Sequence, residues 1–210
     1  MHRATDWSAV VLLSFLLSSC AAPQVKRPFQ NFKDLRDQNV VKQGFDYSCA
    51  TGALATLLTY YFDDPVQETE LLVEILETLP EEVITNRKKE GLSLLDLKKA
   101  GQRRGYQVFG VQLTCAALTK LSAPILVYLE DEDLKHFAIL KGVRADRVFL
   151  ADPSRGNLRM SVARFCPLWK GKFALLISKP GFEPTENLLR VEQTQPLRPE
   201  LAAMRRRLFP

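Results

Sequence analysis

Three residues of different chemistry fall in an order that would build a thiol nucleophile: Cys49, then His136, then Asp152. Cys49 opens the apolar run CATGALATLL, and Gln43 stands six residues before it in QGFDYSC. Asp152 follows His136 by sixteen residues in HFAILKGVRADRVFLADPSRG. The chain has two histidines, and His2 falls in a stretch read below as an export signal, so a thiol–imidazole mechanism must use His136. A cysteine becomes a nucleophile when its thiolate is stabilised, and the unpaired N–H groups at a helix N-terminus do this. His136 would take the thiol proton and later give it to the leaving amine. Asp152 would fix the imidazole tautomer through the other ring nitrogen. Gln43 and the Cys49 N–H would donate to the oxyanion of a tetrahedral intermediate. Taken singly, each residue has a plainer reading: a buried inert thiol, a structural histidine at a strand start, an Asp-Pro turn. Their order and neighbours together point to the site.

The elements around these residues are placed to hold such a site. Cys49 to Phe62 reads as a helix, with Leu54, Leu57, Leu58 and Tyr61 at three- and four-residue spacing and Asp63-Asp64-Pro65 as its stop. Further helices are expected from about Glu68 to Thr78, from Pro80 to Lys89, and after Ser93, which reads as a cap with Asp96 three residues on and Gly105 at the far end. Tyr106–Leu113, Pro124–Leu129, Phe137–Lys141, Arg147–Ala151 and Phe173–Ser178 read as short strands separated by turn residues. Helices first and strands afterwards predict an α+β fold, N-terminal helices packed on an antiparallel sheet. A hairpin of the third and fourth strands would carry His136 and Asp152 at neighbouring ends.

Bulk composition bounds the rest. With 210 residues, 46% hydrophobic and 25% charged, the chain suits one globular domain plus tails. The net charge of +5 is spread along the sequence, without the aromatic-interleaved basic stripe that nucleic-acid binding needs. One histidine and three scattered cysteines past the signal lack metal-ligand clustering, so neither metal nor cofactor is expected. The apolar stretch VVLLSFLLSS before Cys20 is shorter than the roughly 20 residues a membrane-spanning helix requires and suits a signal-peptide core. Leu17-Ser18-Ser19-Cys20 resembles a bacterial lipobox, which makes Cys20 a lipid anchor and the domain a periplasm-facing envelope protein. Ala21 in the second mature position implies, by the same resemblance, outer-membrane sorting. The expected organisation is a signal peptide over residues 1–20, a tether over 21–34, the folded domain over 35–180 and a mobile C-terminal tail over 181–210, with a short helix near Glu200–Leu208. Cys115 and Cys166 read either as a disulfide pair or, by preference, as separate buried thiols.

QGFDYSC and HFAILKGVRADRVFLADPSRGNLRM resemble the nucleophile and histidine–aspartate regions of the bacteriocin-processing, double-glycine cysteine peptidases of the papain-like superfamily. The resemblance spans about residues 38–178 and implies a papain-like fold, with the family's Gln, Cys, His and Asp at Gln43, Cys49, His136 and Asp152. It implies a peptide or protein substrate, cleavage after a Gly-Gly pair, and, since some stand-alone relatives accompany functional-amyloid secretion, an exported partner. Two features depart from the family pattern. Many members carry Asp-Cys-Gly where this chain has Ser48-Cys49-Ala50, and the extra methyl of Ala50 is expected to narrow the approach to the oxyanion site. Two other readings remain open at this level: a cell-wall peptide amidase of the NlpC/P60 type, and a weak or inactive peptidase-like accessory protein of a secretion system.

Overall fold

The computed structural model describes residues 31–130, 132, 135–183 and 187–191. Helices come first: α1 (Phe32–Asp37), α2 (Cys49–Tyr61), α3 (Glu68–Leu76), α4 (Glu81–Glu90) and α5 (Leu94–Arg103). Strands β1 (Gln107–Gln112), β2 (Ile125–Glu130), β3 (Lys135–Arg144), β4 (Arg147–Asp152), β5 (Gly156–Ser161) and β6 (Phe173–Ser178) follow, with α6 (Val162–Leu168) between the last two. They form one antiparallel sheet in the order β1-β6-β2-β3-β4-β5. The α+β architecture expected from the chain order is the one observed.

The predicted amphipathic helix is buried nearly all round. In α2 the small residues Ala50, Gly52, Ala53 and Ala55 are buried along with Leu54, Leu57 and Leu58. That is the pattern of a helix at the centre of a domain, and α2 lies against β3, β4 and β2. Asp63, at φ 53°, turns the chain out of the helix ahead of Pro65. The capping box of α5 forms as its sequence predicts: Ser93 Oγ accepts from Asp96 N and Asp96 accepts from Ser93 N.

The sheet is covered on both faces. Leu126, Phe137, Ile139, Ala151 and Leu175 join α2, α3 and α5 in one apolar cluster. Ile125, Val127, Leu129, Leu140, Val148 and Leu150 pack with Leu118, Phe165 and Trp169 in a second. Two-sided burial explains why β2 reads as a continuous apolar run rather than an alternation. On the second face a 3₁₀ turn (Cys115–Lys120) is joined to α6 by a Cys115–Cys166 disulfide. The preferred reading of two separate thiols is therefore corrected; Cys49 is the free cysteine among the described residues.

Three further differences concern elements with weak patterns. α1 begins inside the stretch read as a tether, capped by the Asn31 side chain on Asp34 N. It docks on the start of β5, where Gly156 has φ +81° and an added Cβ would stand 2.6 Å from the Arg36 carbonyl. β5 and α6 follow Asp152 where no element was foreseen, because NLRMS lacks a β-branched or aromatic run. Residues 187–191, assigned to a mobile tail, pack on the domain: Leu189 is buried, and Leu188 N donates to the Tyr60 carbonyl at 3.0 Å. The expected signal peptide, Cys20 and the 200–208 helix lie outside the described residues.

The disulfide closes a loop with a sequence separation of 51, a length at which such links contribute about 2–4 kcal/mol. Reduction is expected to lower the urea midpoint of the wild-type domain, and Cys115→Ser/Cys166→Ser to unfold at that lower midpoint with or without reductant. A reductant-insensitive wild type would show that the link is absent.

Candidate active site

The start of α2, the start of β3 and the end of β4 converge. Cys49 is the first residue of α2, and the preceding Ser48 makes no side-chain cap bond to the helix. The Ser48 hydroxyl turns back instead, accepting from Phe45 N at 3.1 Å and donating to the Phe45 carbonyl at 2.9 Å. Within the hairpin, Ile139 pairs with Ala151. One step further along that register Asp152 is opposite Ala138, so His136 and Asp152 are diagonal neighbours on one face, within reach of long side chains. Nε2 of His136 is 2.8 Å from Asp152 Oδ1. Cys49 is near enough to the imidazole to contribute to its electrostatics. All three residues are buried: Cys49 and His136 are 6% exposed and Asp152 is 0%.

The electrostatics follow from these contacts. Burial opposes charge on His136, but the hydrogen bond to Asp152 and the nearness of Cys49 outweigh it and raise the ring to about 9. Burial likewise opposes charge on Asp152, and the imidazole together with Arg155 holds the carboxyl down at about 2. The ring therefore keeps its proton at neutral pH beside an ionised carboxylate. An uncharged general base is not the resting state.

Asp152 is held by more than histidine. Ser154 N and Arg155 N each donate to its Oδ1 at 2.8 Å, and the Arg155 guanidinium meets Oδ2 at 2.9 Å. Sequence reasoning singled out Asp152 and missed Arg155; the signal was the Asp-Pro-Ser-Arg-Gly run, in which an aspartate bonds its own backbone two and three residues on. The turn also abuts α2. A Cβ added to Gly52 would lie 2.8 Å from Pro153 Cβ, so this glycine lets the helix and the aspartate turn approach. Tyr128 was missed as well. It is tilted against Phe137, and burial raises its phenol, with Glu130 and Cys49 adding to the shift.

Gln43 is tied to both sides of the site. Its backbone N–H donates to the Pro153 carbonyl at 3.1 Å, and its Nε2 donates to the Phe45 carbonyl at 3.0 Å, the same oxygen that Ser48 holds. An amide nitrogen carries two hydrogens, so a second remains beside the one given to Phe45. Ala50, where glycine was expected, is wholly buried in the helix-side cluster. Its methyl is absorbed by packing.

The peptidase C39 family model matches residues 37–181. This chain belongs to the peptidase C39 family. The family expected from the two motifs is the family found, and the match separates the chain from the NlpC/P60 amidases. A "probable functional amyloid protease FapD" of Pseudomonas aeruginosa is 28% identical over 165 residues, 79% of this chain and 71% of that protein. Its counterpart in Pseudomonas fluorescens is 29% identical over 160 residues, covering 76% and 69%. Among solved structures, the peptidase domain of Streptococcus ComA superposes with a TM-score of 0.56 at 20% identity, covering 67% of this chain and 97% of that one. That likeness concerns the fold, which is papain-like. The protein is a cysteine peptidase.

Two substitutions probe the support around Asp152. Gly52→Ala drives a methyl into Pro153 and is expected to lower both Tm and kcat, since the turn that must move carries the carboxylate. Arg155→Met removes a charge-assisted bond whose guanidinium is partly solvent-exposed, and a loss of about threefold to tenfold in kcat/KM is expected. Unchanged kinetics in both would show that the turn does not position the imidazole.

Proposed function

We propose that Cys49 is the nucleophile, His136 its acid–base partner, Asp152 the orienting carboxylate and Gln43 an oxyanion donor. The observation that carries this reading is the buried imidazole bonded to Asp152 at 2.8 Å, with Cys49 near enough at the start of α2 to raise its proton affinity. In the acylation step the Cys49 sulfur attacks the peptide carbonyl, and the Cys49 N–H and Gln43 Nε2 receive the oxyanion. The C–N bond breaks as His136 gives its proton to the leaving amine, leaving a thioester. Water then attacks the thioester carbonyl while neutral His136 takes its proton. Collapse releases the product acid, and sulfur and imidazole return to their starting state.

The substrate in this reading is an exported polypeptide or leader segment, cut after a Gly-Gly pair, in a functional-amyloid or related secretion system. The names of the Pseudomonas relatives and the family resemblance support this. The chain acts in the bacterial envelope, anchored through Cys20 and facing the periplasm, with the outer membrane as its site. The lipobox-like LSSC supports the anchor, and the Cys115–Cys166 link fits an oxidising compartment.

Cys49→Ala is expected to abolish hydrolysis, and Gln43→Ala to lower kcat about 10²–10³-fold. In the cell, a precursor should accumulate in the exported proteome of both a deletion strain and one carrying Cys49→Ala. Full processing by Cys49→Ala would refute a catalytic thiol.

The pH dependence has a definite sign. The His136 interactions are fully present below its ordinary 6.5 and are lost as pH rises through about 9. Those of Asp152 are present above its ordinary 3.8 and are lost as pH falls through about 2. Acylation, read as kcat/KM, should therefore fall along an alkaline limb near pH 9. In Asp152→Asn that limb should move toward neutral pH, because the contact that raises the ring is gone; a limb that stays in place would remove Asp152 from the mechanism.

A further inference from the structure

The sheet has two edges, β5 and β1. α1 docks at the start of β5, where Asn157 bonds the Arg36 and Gln38 carbonyls. β1 is different. Its sequence QVFGVQ carries neither charge nor proline, and Gln107, Phe109, Gly110 and Gln112 are exposed. Edge strands that stay single are ordinarily blunted by lysine, proline or a bulge. β1 has none of these, and its register with β6 runs unbroken from Gln107 to Gln112.

The backbone of β1 has a definite outward side. Leu113 N donates to the Lys172 carbonyl at 3.0 Å, which continues the β1–β6 ladder one step past the Gln112–Phe173 pair. Antiparallel bonds join opposed residues at alternate positions. Gln107, Phe109 and Val111 therefore bond to β6, while Val108, Gly110 and Gln112 turn their N–H and C=O groups away from it. Among the described residues those outward groups have no partner. Side chains alternate with the same step: Val108 is buried in the helix-side cluster, Val111 packs on the second face, and Phe109, on that second face, is 55% exposed. Gly110 is the middle of the outward set, and a Cβ built on it would meet nothing within 4 Å. No packing within the described chain asks for glycine there, and such a glycine marks a place where another backbone comes close.

A second copy of β1 fits this edge. A twofold axis through Gly110, perpendicular to the sheet, sets Gly110 against Gly110 of the second copy and Val108 against its Gln112. Every outward N–H and C=O of the three residues is then paired. A shift of two residues leaves Val108 or Gln112 without a strand residue opposite, and a shift of one puts opposed side chains on different faces. At the positions between, Phe109 stands against Val111 of the second copy, twice, as an aromatic–β-branched pair on one face. An isologous contact of this kind closes at two copies.

We propose that the protein self-associates through β1, antiparallel and centred on Gly110, so that two six-stranded sheets become one. Such an axis keeps both α2 faces on the same side. β1, β6 and β2 separate each β3–β4 hairpin from the joint, and the proposal does not rest on the catalytic assignment. Its test uses the full chain in mild detergent with Cys20→Ser and Cys49→Ala, which leaves Cys115 and Cys166, linked to each other, as the native sulfurs. Phe109→Cys and Val111→Cys are made in separate chains. Oxidation of the two mixed is expected to give a disulfide-linked dimer several-fold more abundant than from either alone, because each position lies diagonal to its own copy and out of disulfide reach. Gly110→Pro removes an N–H that has no partner within the described chain, at an edge position that admits proline. Added to both chains, it should abolish the excess of linked dimer, whereas association through the apolar N-terminal run would not respond. With Cys49 kept, Gly110→Pro should leave peptide hydrolysis and Tm unchanged. The idea is overturned if the mixture links no better than either chain alone, or if Gly110→Pro leaves the linked dimer intact. Efficient linking of Phe109→Cys to itself would move the axis to Phe109 and overturn the stated register.

Discussion

A fully buried carboxylate is the constraint on which the rest of this molecule depends. Ionised Asp152 has no water to stabilise it, and an uncompensated buried charge costs several kcal/mol. Compensation comes from the imidazole on one side and from its own turn and Arg155 on the other. Those partners fix the hairpin register, because a slip of one residue would send His136 to the opposite face. They also fix the distance to α2, since the turn that folds around the carboxylate presents Pro153 to the helix at Gly52. The geometry of the proposed site and the folding of the chain thus draw on the same contacts.

The charge state of the site is a product of that arrangement. A lone buried histidine would lose its proton more readily than one in water. Here the carboxylate reverses the sign, and the ring stays protonated close to the sulfur at the start of α2. The helix start is left without a side-chain cap because Ser48 is committed to the Phe45 turn. That same turn anchors the Gln43 amide. One four-residue segment therefore serves the helix start and the proposed oxyanion donor together.

What could be read from the chain before its structure depended on how local the determinants were. Cys49, His136 and Asp152 were legible because their chemistry is scarce in this sequence and a hairpin explains the sixteen-residue gap. The helix at Cys49 and the capping box at Ser93 follow from short-range rules, and both formed. α1, β5 and the packed 187–191 segment owe their order to partners far along the chain, such as Asn157 bonding to the Arg36 and Gln38 carbonyls. No window of neighbouring residues carries that information. Gly52 reads as a flaw in a helix until Pro153 is placed beside it, and the burial of Ala50 shows that its methyl faces packing rather than substrate. The Cys115–Cys166 pairing was one of two readings, and only the docking of α6 beside the 3₁₀ turn decides between them.

That link lies on the face of the sheet away from α2, yet the stretch it encloses contains β2, β3, β4 and β5, and with them His136 and Asp152. Peptidases are exposed to one another's activity wherever they are concentrated. A single backbone cut anywhere between the two sulfurs would leave both fragments covalently attached, with the hairpin still able to hold its place in the sheet. The molecule is thereby armoured against nicking in the segment that supplies its imidazole and carboxylate, while the strand of chain leading into Cys49 has no such insurance.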